Sequence, residues 1–239
     1  MSEGRTAQAI ADLTRAEKSV SDSGQKAASM LTGMGMTNSA NSVNQVCQNA
    51  HDTTNEGCKS AFRMDEVYQV LMYSMYIVEM LEEKFAPALA AAGSALSDLE
   101  GLDEGNWSGT GSKAYSRYSG KQSKAAAELS AATLKLTALI RDSGDAAQAM
   151  SDATNLAIMK FGGELLGSCV ALIPPLTPAG VIGIISSISY FIYQVVTINA
   201  EYKSKQARLC TELDQLKRMG PDPGTSVFTS GKWPDKKLY

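Results

Sequence analysis

Apolar side chains recur at every third or fourth position along two long stretches of the chain. The first stretch runs from about residue 62 to 102 and the second from about residue 112 to 160. Such spacings place side chains on one face of an α-helix. About ten Gly-rich residues join the stretches, which predicts an antiparallel helical hairpin. The predicted stripes are Val67, Leu71, Met75, Val78, Leu81, Phe85, Ala88, Ala92, Leu96 and Leu99, then Tyr118, Ala125, Leu129, Ala132, Leu136, Leu139, Ala146 and Met150.

The two stripes and their apolar flanks are too wide for a single hairpin to cover. A partner is therefore expected, either another helical hairpin protein or a second copy of this chain, as a dimer or higher oligomer. Pro87 lies inside the first helix and predicts a kink, because proline lacks the N–H that the helix needs there.

The connection between the helices contains a Trp-x-Gly sequence, Trp107-Ser-Gly109, followed by Ala114 and Tyr115. With its position between two helices, it resembles the Trp-x-Gly hairpin proteins of bacterial type VII (ESX-type) secretion, over about residues 62–160. The resemblance implies that these four residues are recognised by the secretion machinery or a partner. It also implies a non-enzymatic, exported substrate or effector that acts by helix–helix binding. The alternative for Trp107 is packing at a helix corner, and for Gly109 a turn with positive φ.

Two features depart from that family's pattern. The hairpin is flanked by extensions of 61 and 79 residues. Many exported members of that family, or their partners, carry a Tyr-x-x-x-Asp/Glu export signal. No tyrosine here is followed four residues later by Asp or Glu, so a partner is expected to carry the signal.

The N-terminus lacks the basic-then-apolar pattern of a cleavable signal peptide. The expected location is therefore the medium or surface of a bacterium, reached without a cleaved leader.

Residues 161–200 form a second unusual segment, because Glu164 is their only charged residue. A Pro-Pro-x-x-Pro corner at 174–178 predicts two apolar helices. The second, residues 179–200, could span a bilayer core of about 30 Å. Three interpretations stay open: a buried central hairpin, a membrane anchor, or an inserting hairpin like that of α-helical pore-forming toxins. Insertion would use Ile182, Ile184, Ile185, Ile188, Phe191 and Ile192.

The outer segments complete a prediction of an all-α, elongated bundle. Residues 6–31 have an amphipathic pattern that ends at the Gly- and Asn-rich residues 33–42, and a short helix is expected near 43–50, followed by a turn at 55–57. A return helix is predicted over 201–219. The expected divisions are an N-terminal extension 1–60, the hairpin 61–160, the apolar hairpin with its return helix 161–219, and an extended tail 220–239.

The remaining composition argues against an enzyme or a nucleic-acid-binding protein. The net charge is −3, and no phosphate-binding loop, dinucleotide turn or zinc-protease motif is present. Cys47, His51 and Cys58 supply three potential zinc ligands without a fourth, so neither a metal nor a cofactor is expected. Cys47 and Cys58 could instead close a polar loop as a disulfide, whereas Cys169 is expected to be a buried thiol.

Overall fold

The computed structural model describes residues 2–100, 109–173 and 175–218, and all its regular elements are helices. The all-α fold class is confirmed, and no strand occurs in this part of the chain. The Trp-x-Gly connection is only partly covered, because Trp107 lies outside the described residues. The elements are α1 Ser2–Gly33, α2 Thr37–Met80, a π-helical turn Leu81–Phe85, α3 Ala86–Glu100, α4 Thr110–Val170 and α5 Thr177–Arg218.

The chain divides into two compact units. The described residues of the first unit are 2–70, 146–173 and 175–204, and those of the second are 71–100, 109–145 and 205–218. Helices α2, α4 and α5 each contribute residues to both units. The predicted divisions at residues 60 and 160 fall within α2 and α4, respectively.

Four helices enclose the apolar core of the first unit. Its largest side chains include Leu13 of α1, Ile158 and Phe161 of α4, and Ile184 and Phe191 of α5. The rings of Phe161 and Phe191 stack with their centroids 4.5 Å apart. The small residues of α1 and α2 allow the helices to approach these rings, as expected when large and small side chains alternate in a core.

The connection between α1 and α2 is a glycine-dependent helix end. Gly35 has a φ of +80°, which is costly for any residue with a Cβ. The Met36 N–H donates to the Leu31 carbonyl at 2.8 Å, and the Gly35 N–H donates to the Thr32 carbonyl at 2.9 Å. This pair of bonds is the Schellman ending of a helix. The predicted break is confirmed, although the next helix already begins at Thr37.

Helix α2 continues through residues 55–57, where a turn was expected. Gly57 faces the Phe191 ring, and a Cβ there would lie 2.9 Å from the ring atom Cζ. Tertiary packing thus overrides the low helix propensity of this segment. The possible Cys47–Cys58 disulfide is not formed, because α2 is continuous between the two residues. The two residues are eleven positions apart, which is about 16 Å along the helix axis, and both thiols are free.

Instead of a simple kink, the irregularity before Pro87 is the π-helical turn at Leu81–Phe85. This wider turn changes which residues face inward. Before it, the predicted stripe is correct for Val78. After it, Ala86 and Gly93 are buried in place of Phe85 and Ala92. The buried positions are shifted by one residue, because a π-helical hydrogen bond joins residues five apart, whereas an α-helical bond joins residues four apart.

The proline-rich corner joins α4 to α5, as predicted. The Thr177 hydroxyl donates to the Leu172 carbonyl at 2.9 Å at the start of α5. Gly180 lies against the corner backbone, and a Cβ there would be 2.6 Å from the carbonyl carbon of Ala171. From Thr177 the helix continues to Arg218, so the apolar helix and the predicted return helix are one element.

Candidate functional site

Three of the four predicted recognition residues can be located, and they lie at the start of α4. Gly109 has a φ of +108°, so its expected turn conformation is confirmed. Its carbonyl accepts a hydrogen bond from the Lys113 N–H at 3.3 Å, which places Gly109 at the helix boundary. Ala114 and Tyr115 follow on the first turns of α4, and both are exposed. The fourth residue, Trp107, lies outside the described residues.

Small residues bring α3 and α4 together in the second unit. The Ser123 hydroxyl donates to the Gly93 carbonyl at 2.7 Å, and the Ser130 hydroxyl donates to the Ala86 carbonyl at 2.9 Å. A Cβ on Gly93 would lie 3.2 Å from the Ser123 carbonyl oxygen, so the two backbones are close. The buried residues of this unit include Val78, Ala86, Ala125, Ala126, Ser130, Thr133 and Thr137.

An ion pair connects the π-helical turn to α4. The Arg141 guanidinium donates from Nε to Glu82 Oε1 at 3.2 Å and from its terminal nitrogen to Glu82 Oε2. Hydrogen bonding from Arg141, followed by that from Thr137, lowers the pKa of the Glu82 carboxyl. The fork geometry orients the two helices, although solvent screening limits its contribution to stability.

The outward face of α2 carries large apolar side chains that the sequence analysis did not single out. We call Tyr73, Tyr76, Ile77 and Met80 the α2 stripe. Their spacing of three and four residues places them on one face, and they are between 47% and 81% exposed. Tyrosine and methionine are enriched where proteins bind one another. The spacing of three and four residues that predicted the stripe from Val67 to Leu99 also holds for these four residues. The sequence could therefore have revealed this second apolar face.

Helix α5 divides the six residues that were predicted to insert into a membrane. Ile184 and Phe191 are buried in the first unit, and Ile188 is partly buried, whereas Ile182, Ile185 and Ile192 are exposed. Within the described residues, α5 is the one helix long and apolar enough to cross a bilayer, and only 17% of its most apolar stretch is buried. The interpretation of 161–200 as a fully buried hairpin therefore does not hold for α5.

The thiols and the histidine have ordinary structural surroundings. Burial raises the pKa of Cys169 to about 11 and also raises the pKa values of Cys47 and Cys58. The buried position of Cys169 is confirmed. His51 Nδ1 lies 3.1 Å from Glu17 Oε1. In the part of the chain that the structure describes, no three His, Cys, Asp or Glu side chains come together as a metal site.

Neither a protein-family model, nor a curated protein, nor a solved structure matches this chain.

Proposed function

We propose that the chain is an exported, non-enzymatic substrate or effector of a type VII-like secretion system, and that it acts by binding other helices. The proposal rests first on the Trp-x-Gly sequence that joins α3 to α4 and on the positive φ of Gly109. These features support recognition at the connection of a hairpin. Trp107, Gly109, Ala114 and Tyr115 would be the recognised residues.

The observation that carries helix–helix binding is the α2 stripe on the second unit. The four large side chains of the α2 stripe are exposed, while the described buried residues of this unit are, apart from Val78, small: Ala, Ser, Gly and Thr. Four apolar or aromatic side chains at helical spacing form a ridge that fits the groove of another helix. Burying a large apolar side chain contributes about 1.5–3 kcal/mol, so the stripe could supply substantial binding free energy.

Secretion of paired tryptophan variants tests the export proposal. We expect Trp107→Ala to reduce the amount of chain in the medium of a bacterium with an active type VII system, while the intracellular chain stays folded by circular dichroism. Trp233→Ala makes the same change outside the hairpin and is expected to leave export unchanged. Equal secretion of both variants would show that Trp107 is not a recognition residue.

A sizing experiment tests helix binding where the partner is a second copy. Light scattering should then give twice the chain mass of 25.4 kDa, and Ile77→Asp should return the protein to a monomer. Leu134→Asp in the same unit is the control, because Leu134 is an exposed apolar residue of α4 outside the α2 stripe. A monomeric wild type would leave another helical hairpin protein as the partner.

Membrane insertion is the second candidate function, and the exposure of α5 favours it. Residues 177–200 contain no charged side chain, and Ile182, Ile185 and Ile192 already face outward. A toxin-like protein would release the buried residues Ile184 and Phe191 from the core and pass α5 through the bilayer. Leakage of dye from liposomes that disappears on Ile184→Asp would support this function.

A further inference from the structure

Two connections meet at one end of the first unit. Leu31 lies in the last turn of α1 and Met34 and Met36 in the α1–α2 connection, whereas Pro175 lies in the α4–α5 corner and Val181 in the first turns of α5. Together they line an open notch with a volume of about 670 Å³. The notch offers mainly methyl, methylene and thioether groups, so it suits an apolar chain such as a lipid acyl group better than a polar ligand.

The described residues that form this end of the unit carry no charged side chain. Residues 27–50 and 165–200 contain no Asp, Glu, Lys or Arg, although 20% of the whole chain is charged. These two ranges cover both connections and the ends of the four helices that they join. The surfaces of soluble proteins usually mix charges of both signs, so two long charge-free ranges at one end of the unit are unusual.

The outward side chains at this end are large and apolar. We call six of them the apolar tip: they are between 49% and 73% exposed, and they come from both connections. The tip consists of Met30, Met34, Met36, Val170, Ile173 and Leu176. It belongs to the outer surface of the first unit and is distinct from the α2 stripe.

We propose that the apolar tip docks on the surface of a lipid bilayer while the bundle remains folded. The tip would reach the boundary between headgroups and acyl chains, and the notch would accept part of an acyl chain. Along α1, the nearest charge is Lys26, which is about 10 Å from Gly33. That distance matches the depth of about 5–10 Å at which interfacial helices lie.

The neutral polar residues of α2 set the limit of insertion. Asn38, Ser39 and Asn41 follow the connection directly, and they would be costly in hydrocarbon but acceptable among headgroups. Lys26 can extend its ammonium group back towards water. Protein interfaces gain specificity from charged residues at their rim, and residues 27–50 and 165–200 supply none. The composition therefore favours a lipid surface over a protein partner.

The proposal goes beyond export and does not depend on it. It also differs from insertion of α5, because the core residues Ile184 and Phe191 stay buried and no pore forms. Since the tip has no basic cluster, docking should depend neither on anionic lipids nor on ionic strength. Raising the salt concentration from about 0.1 to 0.5 M should leave the bound fraction unchanged or slightly larger.

Flotation with vesicles of pure phosphatidylcholine tests the proposal with the full chain. The wild type should float with the vesicles, and a Met34→Asp/Ile173→Asp variant should lose about tenfold or more in partition, because both charges would enter the interface. Both replaced side chains are already exposed, so circular dichroism should show an intact fold. Leu134→Asp/Leu156→Asp, which adds two charges at exposed positions of α4 outside the apolar tip and the α2 stripe, is the matched control and should float like the wild type.

Several results would overturn the proposal. These are a wild type that stays in solution, equal flotation of the tip variant, or binding only to anionic vesicles with loss in about 0.5 M salt. Release of an encapsulated dye would indicate insertion of α5 instead. If the wild type is a dimer without lipid and the tip variant is a monomer, the tip is an interface between copies.

Discussion

The two units differ in the size of the side chains that hold them together. In the first unit, Leu13, Ile158, Phe161, Leu165 and Ile184 are fully buried, whereas the largest fully buried side chains of the second unit are Val78, Thr137 and Ser119. Each large side chain contributes about 1.5–3 kcal/mol by burial, and small residues contribute much less. The comparison indicates that the first unit supplies most of the stability of the chain.

The second unit uses its large side chains differently. Tyr73, Tyr76, Ile77 and Met80 are exposed, while Ser123 and Ser130 hold the hairpin by hydrogen bonds to opposing carbonyls. Hydrogen bonds between small residues hold the two helices close together, and the α2 stripe stays exposed. The α2 stripe thus lies in the unit whose buried side chains are small.

Removal of a large core side chain should give the largest effect. Phe191→Ala is expected to lower the free energy of unfolding of the first unit by about 3–5 kcal/mol, because it leaves a cavity beside Phe161. The adjacent Ile192→Ala change, at an exposed position, should cost less than about 1 kcal/mol. Urea titrations followed by circular dichroism measure both, and equal losses would contradict the core as described.

A pair of glycine substitutions should change stability in opposite directions. Gly57→Ala places a Cβ 2.9 Å from Phe191 Cζ, and the ring cannot withdraw because it is stacked and buried. Overpacking of about 1–3 kcal/mol should exceed the helix-propensity gain of about 1 kcal/mol. Gly163→Ala meets nothing within 4 Å and should stabilise α4 by about 0.5–1 kcal/mol. Stabilisation by both changes would show that Gly57 is not in close contact.

The alkylation rates of Cys210 in the second unit and Cys169 in the first unit should differ by more than tenfold. Cys210 is exposed in the second unit, whereas Cys169 is buried in the first and has a pKa of about 11. At pH 8 that pKa leaves about one thiol in a thousand as the reactive thiolate, so Cys169 should alkylate last. Mass spectrometry after iodoacetamide treatment gives the order. Four free thiols are expected in the unfolded, unreduced chain, and a Cys47–Cys58 bridge would contradict the continuous α2 helix.

Loss of one hydrogen bond should have the smallest effect. Ser130→Ala removes the bond to the Ala86 carbonyl and should cost about 0.5–1.5 kcal/mol in the second unit. Hydrogen exchange of the α3 amides should accelerate by up to about tenfold. Ser42→Ala is the control, because its hydroxyl bonds within its own exposed helix turn. Unchanged α3 exchange in Ser130→Ala would show that the bond does not hold the hairpin.

Local chemistry made several parts of the fold predictable. The turn at Gly35 requires a positive φ, and the prolines at 175 and 178 cannot continue a helix interior, so both connections follow from residue type. The path of α2 through Gly57 was not predictable in the same way. It depends on the Phe191 ring, which is 134 residues away in the sequence. The shift of stripe after Phe85 required the π-helical turn, which sequence periodicity does not reveal.

The candidate binding surfaces were also predictable from the sequence only in part. The charge-free segment 165–200 is visible in the sequence, but its exposure and its proximity to Met34 and Met36 depend on the packing of four helices. Periodicity indicates which residues share a face, and it does not indicate which of two apolar faces points inward. For that reason the predicted insertion residues divided between the core and the surface of α5.

Secretion of the unaltered chain is the most direct test of the proposed function. The measurement compares the protein in the medium of a bacterium with an active type VII system and in the same strain with that system inactivated. We predict that the chain accumulates outside the first strain and remains inside the second, with a cytoplasmic marker retained in both. Equal amounts in the two media, or retention by both strains, would contradict export by this route.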